Sequence, residues 1–157
     1  MKTKELTLPK PSKDIIRKGI MSIEDKIASM PNAQFGDEVG ELKHSFGEGL
    51  YIRELKVPKN MLISTKIHKR AHPYFLLQGE CSILTDEGVI KIKAPYYGIT
   101  KAGTKRIVYT HDEVLWVTVH ATDKKDLLEI EDEIIAKTFD ECFPTNEELL
   151  KLTEEKI

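Results

Sequence analysis

The chain has 157 residues, 24 basic and 26 acidic, with a formal net charge of -2; this suits one domain that buries roughly two thirds of its unfolded surface. So balanced a charge gives no field to gather nucleic acid or an anionic membrane, and neither partner is expected. The longest apolar runs, Phe75 to Leu77 and Val114 to Val119, fall far short of the ~20 residues of a membrane span, and the start carries no apolar signal core, which predicts a cytosolic protein.

Residues 1 to 11 hold Pro9 and Pro11 in a polar setting and read as an extended arm. Ser12 suits an N-cap, and Ile16, Ile20, Ile23, Ile27 and Met30 step by four and three, so they share one face of a helix that Pro31 ends. Such a stripe serves either as a dimerisation seam or as a cover for the rest of the domain. A Gly-containing linker runs from Gly36 to Gly49. Beyond it, 50–57, 61–69, 74–84, 89–93, 107–109 and 114–120 are rich in strand formers with partial alternation. Pro58-Lys59-Asn60 and Asp86-Glu87-Gly88 supply tight reversals, and six or seven strands so joined favour a barrel or sandwich. The helical period then returns: Leu127, Ile130, Ile134 and Ile135 share a face, and Thr145 with Glu148 forms a capping-box start for a last helix. The chain thus divides into an arm and helix over 1–41, a β-barrel over 42–122 and a helical segment over 123–157, all one domain. Cys81 and Cys142 read as two small thiols without a bridge or chemistry.

Two constellations can carry chemistry. His68 and His72 are an even number apart, so on a continuous strand both face one side, and two imidazoles in a barrel interior suit a divalent transition metal. The bland alternative is a pair of hydrogen-bonded polar residues. Arg106, with Lys66, Tyr74, His68, His72 and His120, forms a cationic and aromatic set whose fixed donors suit a small anion. Equally open is a structural role, in which Arg106 pairs with Glu80 or Glu54 inside the barrel. His44 can reach the barrel mouth and is an outside candidate, whereas His111, beside Asp112 and Glu113, reads as part of a solvated turn. No phosphate loop, dinucleotide fingerprint or zinc-protease motif is present.

The stretch from Lys66 to Glu80 resembles the first motif of the cupin superfamily. Aligned on Leu77-Gln78-Gly79-Glu80, Lys66 takes the place of that motif's first histidine, His68 of its second and His72 of its glutamate. Ala102 to Arg106 resembles the second motif, with Gly103 as the glycine of its turn and Arg106 where the remaining histidine stands. A closer resemblance is to uncharacterised cupin-like proteins of bacteriophages, carried by His44-Ser45-Phe46, Tyr51 to Glu54, Ile67 to Lys69, Ala102 to Arg106 and Trp116 to His120. The resemblance implies a mainly β, cupin-like antiparallel jelly-roll barrel with an N-terminal helix and C-terminal helices. It also implies a homodimer or higher oligomer through an exposed sheet edge. The expected role is a phage-type binding or structural protein, in the host cytoplasm or the virion, that holds a metal ion or small anion. The alternatives are a metal-dependent isomerase or oxygenase, with His44, His120 or Glu80 completing the ligands, and a virion or assembly component that uses the barrel as scaffold among other virion proteins.

Overall fold

A computed structural model, which describes residues 9–143 and 146–154, places helix α1 (Lys13–Ala28) first, with the Ser12 hydroxyl accepting from the Ile15 amide as its cap. The helix stops at a Ser29 cap, two residues before Pro31, in keeping with the extended backbone a proline asks of its predecessor. Ile20 is wholly buried, and the helix lies against the strands β3 (Leu62–Ser64), β6 (Glu80–Thr85) and β9 (Ile107–Thr110). The apolar stripe therefore covers the barrel, with Met30 left half-exposed beyond the helix end.

The barrel is built from two antiparallel sheets. One runs in the order β1 (Glu41–Gly47), β2 (Leu50–Val57), β10 (Val114–Ala121), β5 (His72–Gln78) and β8 (Tyr96–Thr100). The other runs β3, β9, β6, β7 (Gly88–Lys93). Their inner faces enclose Val57, Leu76, Cys81, Ile83, Ile92, Val108 and Val114. At one end, helix α2 (Leu127–Ile134), capped by Asp126, buries Ile130 and Ile134 against Tyr51. The chain then adds a short strand β11 (Ile135–Ala136) to β4 (Ile67–His68), so the C-terminal segment is sewn onto the barrel. Helix α3 (Asn146–Glu154) follows; Thr145, the expected cap, lies outside the described residues. Cys81 and Cys142 are both free thiols. No helix among the described residues is long and apolar enough to cross a membrane.

Four sequence expectations change. The Gly36 to Gly49 stretch is no linker: residues 41–47 form β1, pairing with β2 from Glu41↔Lys56 to Gly47↔Leu50. Its flanking glycines hide an alternation of Leu42, His44 and Phe46. The 61–69 run breaks into β3 and β4, and the 74–84 run breaks at Gly79, where the chain passes from one sheet to the other. Strand β8 has no strong signal in the sequence, because this five-residue segment contains Gly98 and sits between Pro95 and the turn at Gly103.

Gly79 shows what that crossing demands. Its φ is +84°, and an added Cβ would stand 2.2 Å from the carbonyl oxygen of Glu113, a backbone atom that cannot swing aside. Gly88 is also left-handed at +115°, but has nothing within 4 Å. Gly79→Ala is therefore expected to cost about 3 kcal/mol or more, combining backbone strain with a clash, and Gly88→Ala only about 1 kcal/mol. Urea unfolding of the two variants checks this, and equal losses would contradict it.

Candidate metal centre and its buried arginine

Strand alternation decides which side chains look inward. On β5 these are His72, Tyr74 and Leu76, and on β10 they are Val114, Trp116, Thr118 and His120. On β2, Tyr51, Arg53, Leu55 and Val57 stand on the inner face. The register sets His120 opposite Tyr51, Tyr74 opposite both Thr118 and Gly98, and His72 opposite Thr100. A polar floor thus lies across the five-stranded sheet. Gly98 makes room for it, because a Cβ there would meet the Tyr74 hydroxyl at 2.7 Å.

His68 reaches the same space from a different element. It is not on one continuous strand with His72, since the chain bends at 69–71 between β4 and β5. Instead its backbone is held by pairing with Ile135 of β11 and by the Gly103 N–H, which donates to the His68 carbonyl at 2.8 Å. The C-terminal segment and the second motif's turn together aim the imidazole inward.

The result is a cluster of three imidazoles. The ring centroids of His68 and His72 lie 4.3 Å apart, those of His72 and His120 4.4 Å, and those of His68 and His120 5.4 Å. One nitrogen from each lies within 4.8 Å of the others, and among the described residues no further group of three such donors is found. His72 Nδ1 donates to the Arg70 carbonyl at 3.3 Å, which fixes the tautomer and leaves the Nε2 lone pair available. His120 Nε2 is bonded to Thr118 Oγ1 at 2.9 Å. His68 Nδ1 is buried and has no protein partner.

Burial is the largest force on all three. It pushes His68 down to about 2, helped by the charges of His72, His120 and the guanidinia of Arg106 and Arg53. It pushes His120 down to about 4, helped by His72 and Arg53. It also lowers His72, against the opposing pull of the Arg70 carbonyl. At neutral pH the cluster is three uncharged imidazoles with lone pairs to offer. Two nitrogens on one transition-metal ion, each at about 2.1 Å, stand at most about 4.2 Å apart. In a tetrahedral arrangement the separation is about 3.4 Å, so the three side chains must draw together by about an ångström to share one ion; three neutral imidazoles are the donor type that a divalent transition metal takes.

Of the expected pocket residues, Lys66 is not there. Its ammonium lies on the surface, 58% exposed, paired with Glu131 of α2, because Lys66 stands just outside the two-residue strand that turns His68 inward. Arg106 and Tyr74 are inside. The guanidinium is 6% exposed and lies 4.9 Å from the Tyr74 ring centre and 5.7 Å from that of Trp116. Its Nη2 donates to Thr100 Oγ1 at 2.5 Å. The alternative in which Arg106 pairs with Glu80 or Glu54 is overturned: Glu80 holds Lys91 and Glu54 holds Lys43. No carboxylate among the described residues forms an ion pair with Arg106.

Tyr51 and Arg53 are inward residues that the sequence reading does not single out for the site. Tyr51 stacks between Phe46 and His120 and accepts or donates a 2.8 Å hydrogen bond with His44 Nδ1, so His44 borders the cluster through Tyr51. Period-2 alternation within 50–57 carries the signal for Tyr51 and Arg53. His111 is not freely solvated: its Nε2 lies 2.7 Å from Ser82 Oγ and its ring meets Tyr109 edge-on.

No family model matches the chain and no curated protein does. Solved structures do. An ectoine synthase from P. lautus aligns with a TM-score of 0.52 at 12% identity, covering 69% of this chain and 81% of that one. KdgF from Halomonas sp. aligns at 0.49 and 9% identity, covering 60% and 90%. The cupin domain of Schizosaccharomyces pombe Cnp3 aligns at 0.48 and 16% identity, covering 67% and 77%. The fold is the expected mainly β, cupin-like jelly-roll barrel with added helices.

Proposed function

We propose that this protein binds a divalent transition metal through His68, His72 and His120 and presents it, inside a cationic barrel, to a small anionic ligand. The observation that supports this most is the convergence of three buried, uncharged imidazoles, one of which leaves a buried nitrogen without a protein partner. A structural histidine cluster would satisfy its buried nitrogens, because an unpaired one costs about 1–3 kcal/mol. A metal held by three neutral ligands keeps its full positive charge and has coordination positions open to a ligand oxygen.

The buried guanidinium of Arg106, which forms no ion pair with a carboxylate among the described residues, adds to that charge. Arg106 and Arg53 both act electrostatically on His68, and no carboxylate belongs to the three-donor group. The open positions therefore favour an anion over a neutral sugar or a cation. A three-histidine centre with open positions also suits metal-dependent catalysis, for which Tyr51, stacked on His120, and His44, hydrogen-bonded to it, form a proton-carrying pair.

Elemental analysis of protein expressed in metal-supplemented medium tests the reading. About one transition-metal ion per chain is expected in the wild type, and none in His68→Ala/His72→Ala. A wild type that stays metal-free after loading would remove the centre and leave a bare scaffold.

A further inference from the structure

A cavity of about 100 Å³ opens where the edge strand β8 meets the β6–β7 hairpin, and the buried Arg106 lines its inner wall with Tyr74 and Thr100. None of the three histidines lines it. This is a second space, distinct in its lining from the candidate metal centre.

We infer that this cavity is a seat for a compact oxyanion, a carboxylate or phosphate group, which Arg106 holds without any metal. The argument is one of charge. Four charged residues line the cavity: Arg106, Lys101, Asp86 and Glu87. Both carboxylates are already engaged. Asp86 accepts from Arg17 of α1 at 2.8 Å, and Glu87 pairs with Lys101 at 2.7 Å and with Lys13 at 3.8 Å. Arg106 alone among them has no counterion, and it is also the most deeply buried. A buried guanidinium without a carboxylate bears a desolvation cost that an incoming anion offsets.

The donors suit an oxyanion. The guanidinium fork can offer two parallel N–H bonds, and Thr85, Thr100 and Thr104 line the same space. The cavity has room for several water molecules, and so for a compact group of about four to six heavy atoms. The rim residues Ile90 and Ile99 are 47% and 65% exposed, so entry needs no opening of the barrel.

The inference goes beyond the metal reading, and the test separates the two. Protein stripped of metal on a chelating resin is melted with inorganic phosphate, with oxalate, and with chloride at equal ionic strength. Phosphate or oxalate at about one hundred times Kd is expected to raise Tm by about 5 to 10 °C, with chloride near zero. Whichever of the two raises it more identifies the phosphate or the carboxylate as the preferred source. The rise should vanish in Arg106→Gln and survive in His68→Ala/His72→Ala. Ile90→Trp, a rim substitution that leaves Arg106 in place, should abolish it too and decides the matter if Arg106→Gln does not fold. No rise in the wild type, a rise matched by chloride, or a rise that persists in the folded Arg106→Gln or in Ile90→Trp overturns the seat. So does a rise lost in the double histidine variant, because the anion would then sit on the histidines. Metal uptake, measured separately, can fail or succeed with either result.

Discussion

Metal-free His68→Leu is expected to be as stable as the wild type or more so, by about 1–3 kcal/mol, while its affinity for metal falls more than 100-fold. Two independent effects meet at this residue. His68 Nδ1 is buried without a protein partner, so removing it relieves a desolvation cost of that order, and leucine fills nearly the same volume with apolar atoms. A metal ligand, however, cannot be lost cheaply, since even residues that only support ligands change affinity 10–100-fold. His120→Leu is not an equivalent test, because it strips Thr118 Oγ1 of its 2.9 Å partner and removes a ring that stacks on Tyr51. Thermal melts of resin-stripped protein and an equilibrium metal titration read the two effects separately. A His68→Leu protein that melts many degrees lower without metal would mark His68 as a packing residue and remove the reason for a metal there.

How far the sequence alone foresees this site depends on which geometry each residue needs. His72, Tyr74 and His120 lie on long strands, where a period of two decides the inner face and short-range pattern is enough. Gly103 was legible as a turn, and takes a φ of +77°. Lys66 failed because the same period was carried across Thr65-Lys66, where no strand exists. His68 is inward for a reason that no local pattern holds, since β11, almost seventy residues later, pairs with it. The counterion of Arg106 was equally beyond reach. Glu80 and Glu54 look like candidates in the sequence, yet β6 turns Glu80 toward Lys91 and β2 turns Glu54 toward Lys43. Long-range pairing chose between the anchored and the uncompensated arginine, and it chose the one that leaves a charge for a ligand. The barrel itself was readable because its strands are closed by turns with strong local chemistry. The missed strands β1 and β8 are the two edges of the five-stranded sheet, where one-sided pairing makes weaker demands on sequence.

Acid is expected to begin destabilising the metal-free protein below about pH 6.5, well above the range in which carboxylates act. Buried imidazoles are the cause. Their ordinary pKa in the unfolded chain is about 6.5, whereas His120 is pushed down to about 4 and His68 to about 2, in each case chiefly by burial. Between the two limits the unfolded chain binds more protons than the folded one, so stability rises with pH across that window. It is fully present above about pH 6.5 and is lost as the pH falls. At pH 4.5, two units below the unfolded value, each of these histidines removes about 2 to 3 kcal/mol. Together they take about 5 kcal/mol from a domain whose total is typically 5–15 kcal/mol. The carboxylates act in another window: the hydrogen bond and charge of Lys101 hold Glu87 below its usual range, so its contribution is intact above about pH 4.5 and lost only below. Urea midpoints of resin-stripped protein at pH 7 and pH 5 isolate the histidine effect. His68→Leu should flatten the dependence by about a third to a half, since His72 is lowered as well, and bound metal should suppress it by occupying the lone pairs that protons would take. A midpoint that does not move between pH 7 and pH 5 would mean that these imidazoles are solvated or already charged, and three charged imidazoles could not serve as a donor set.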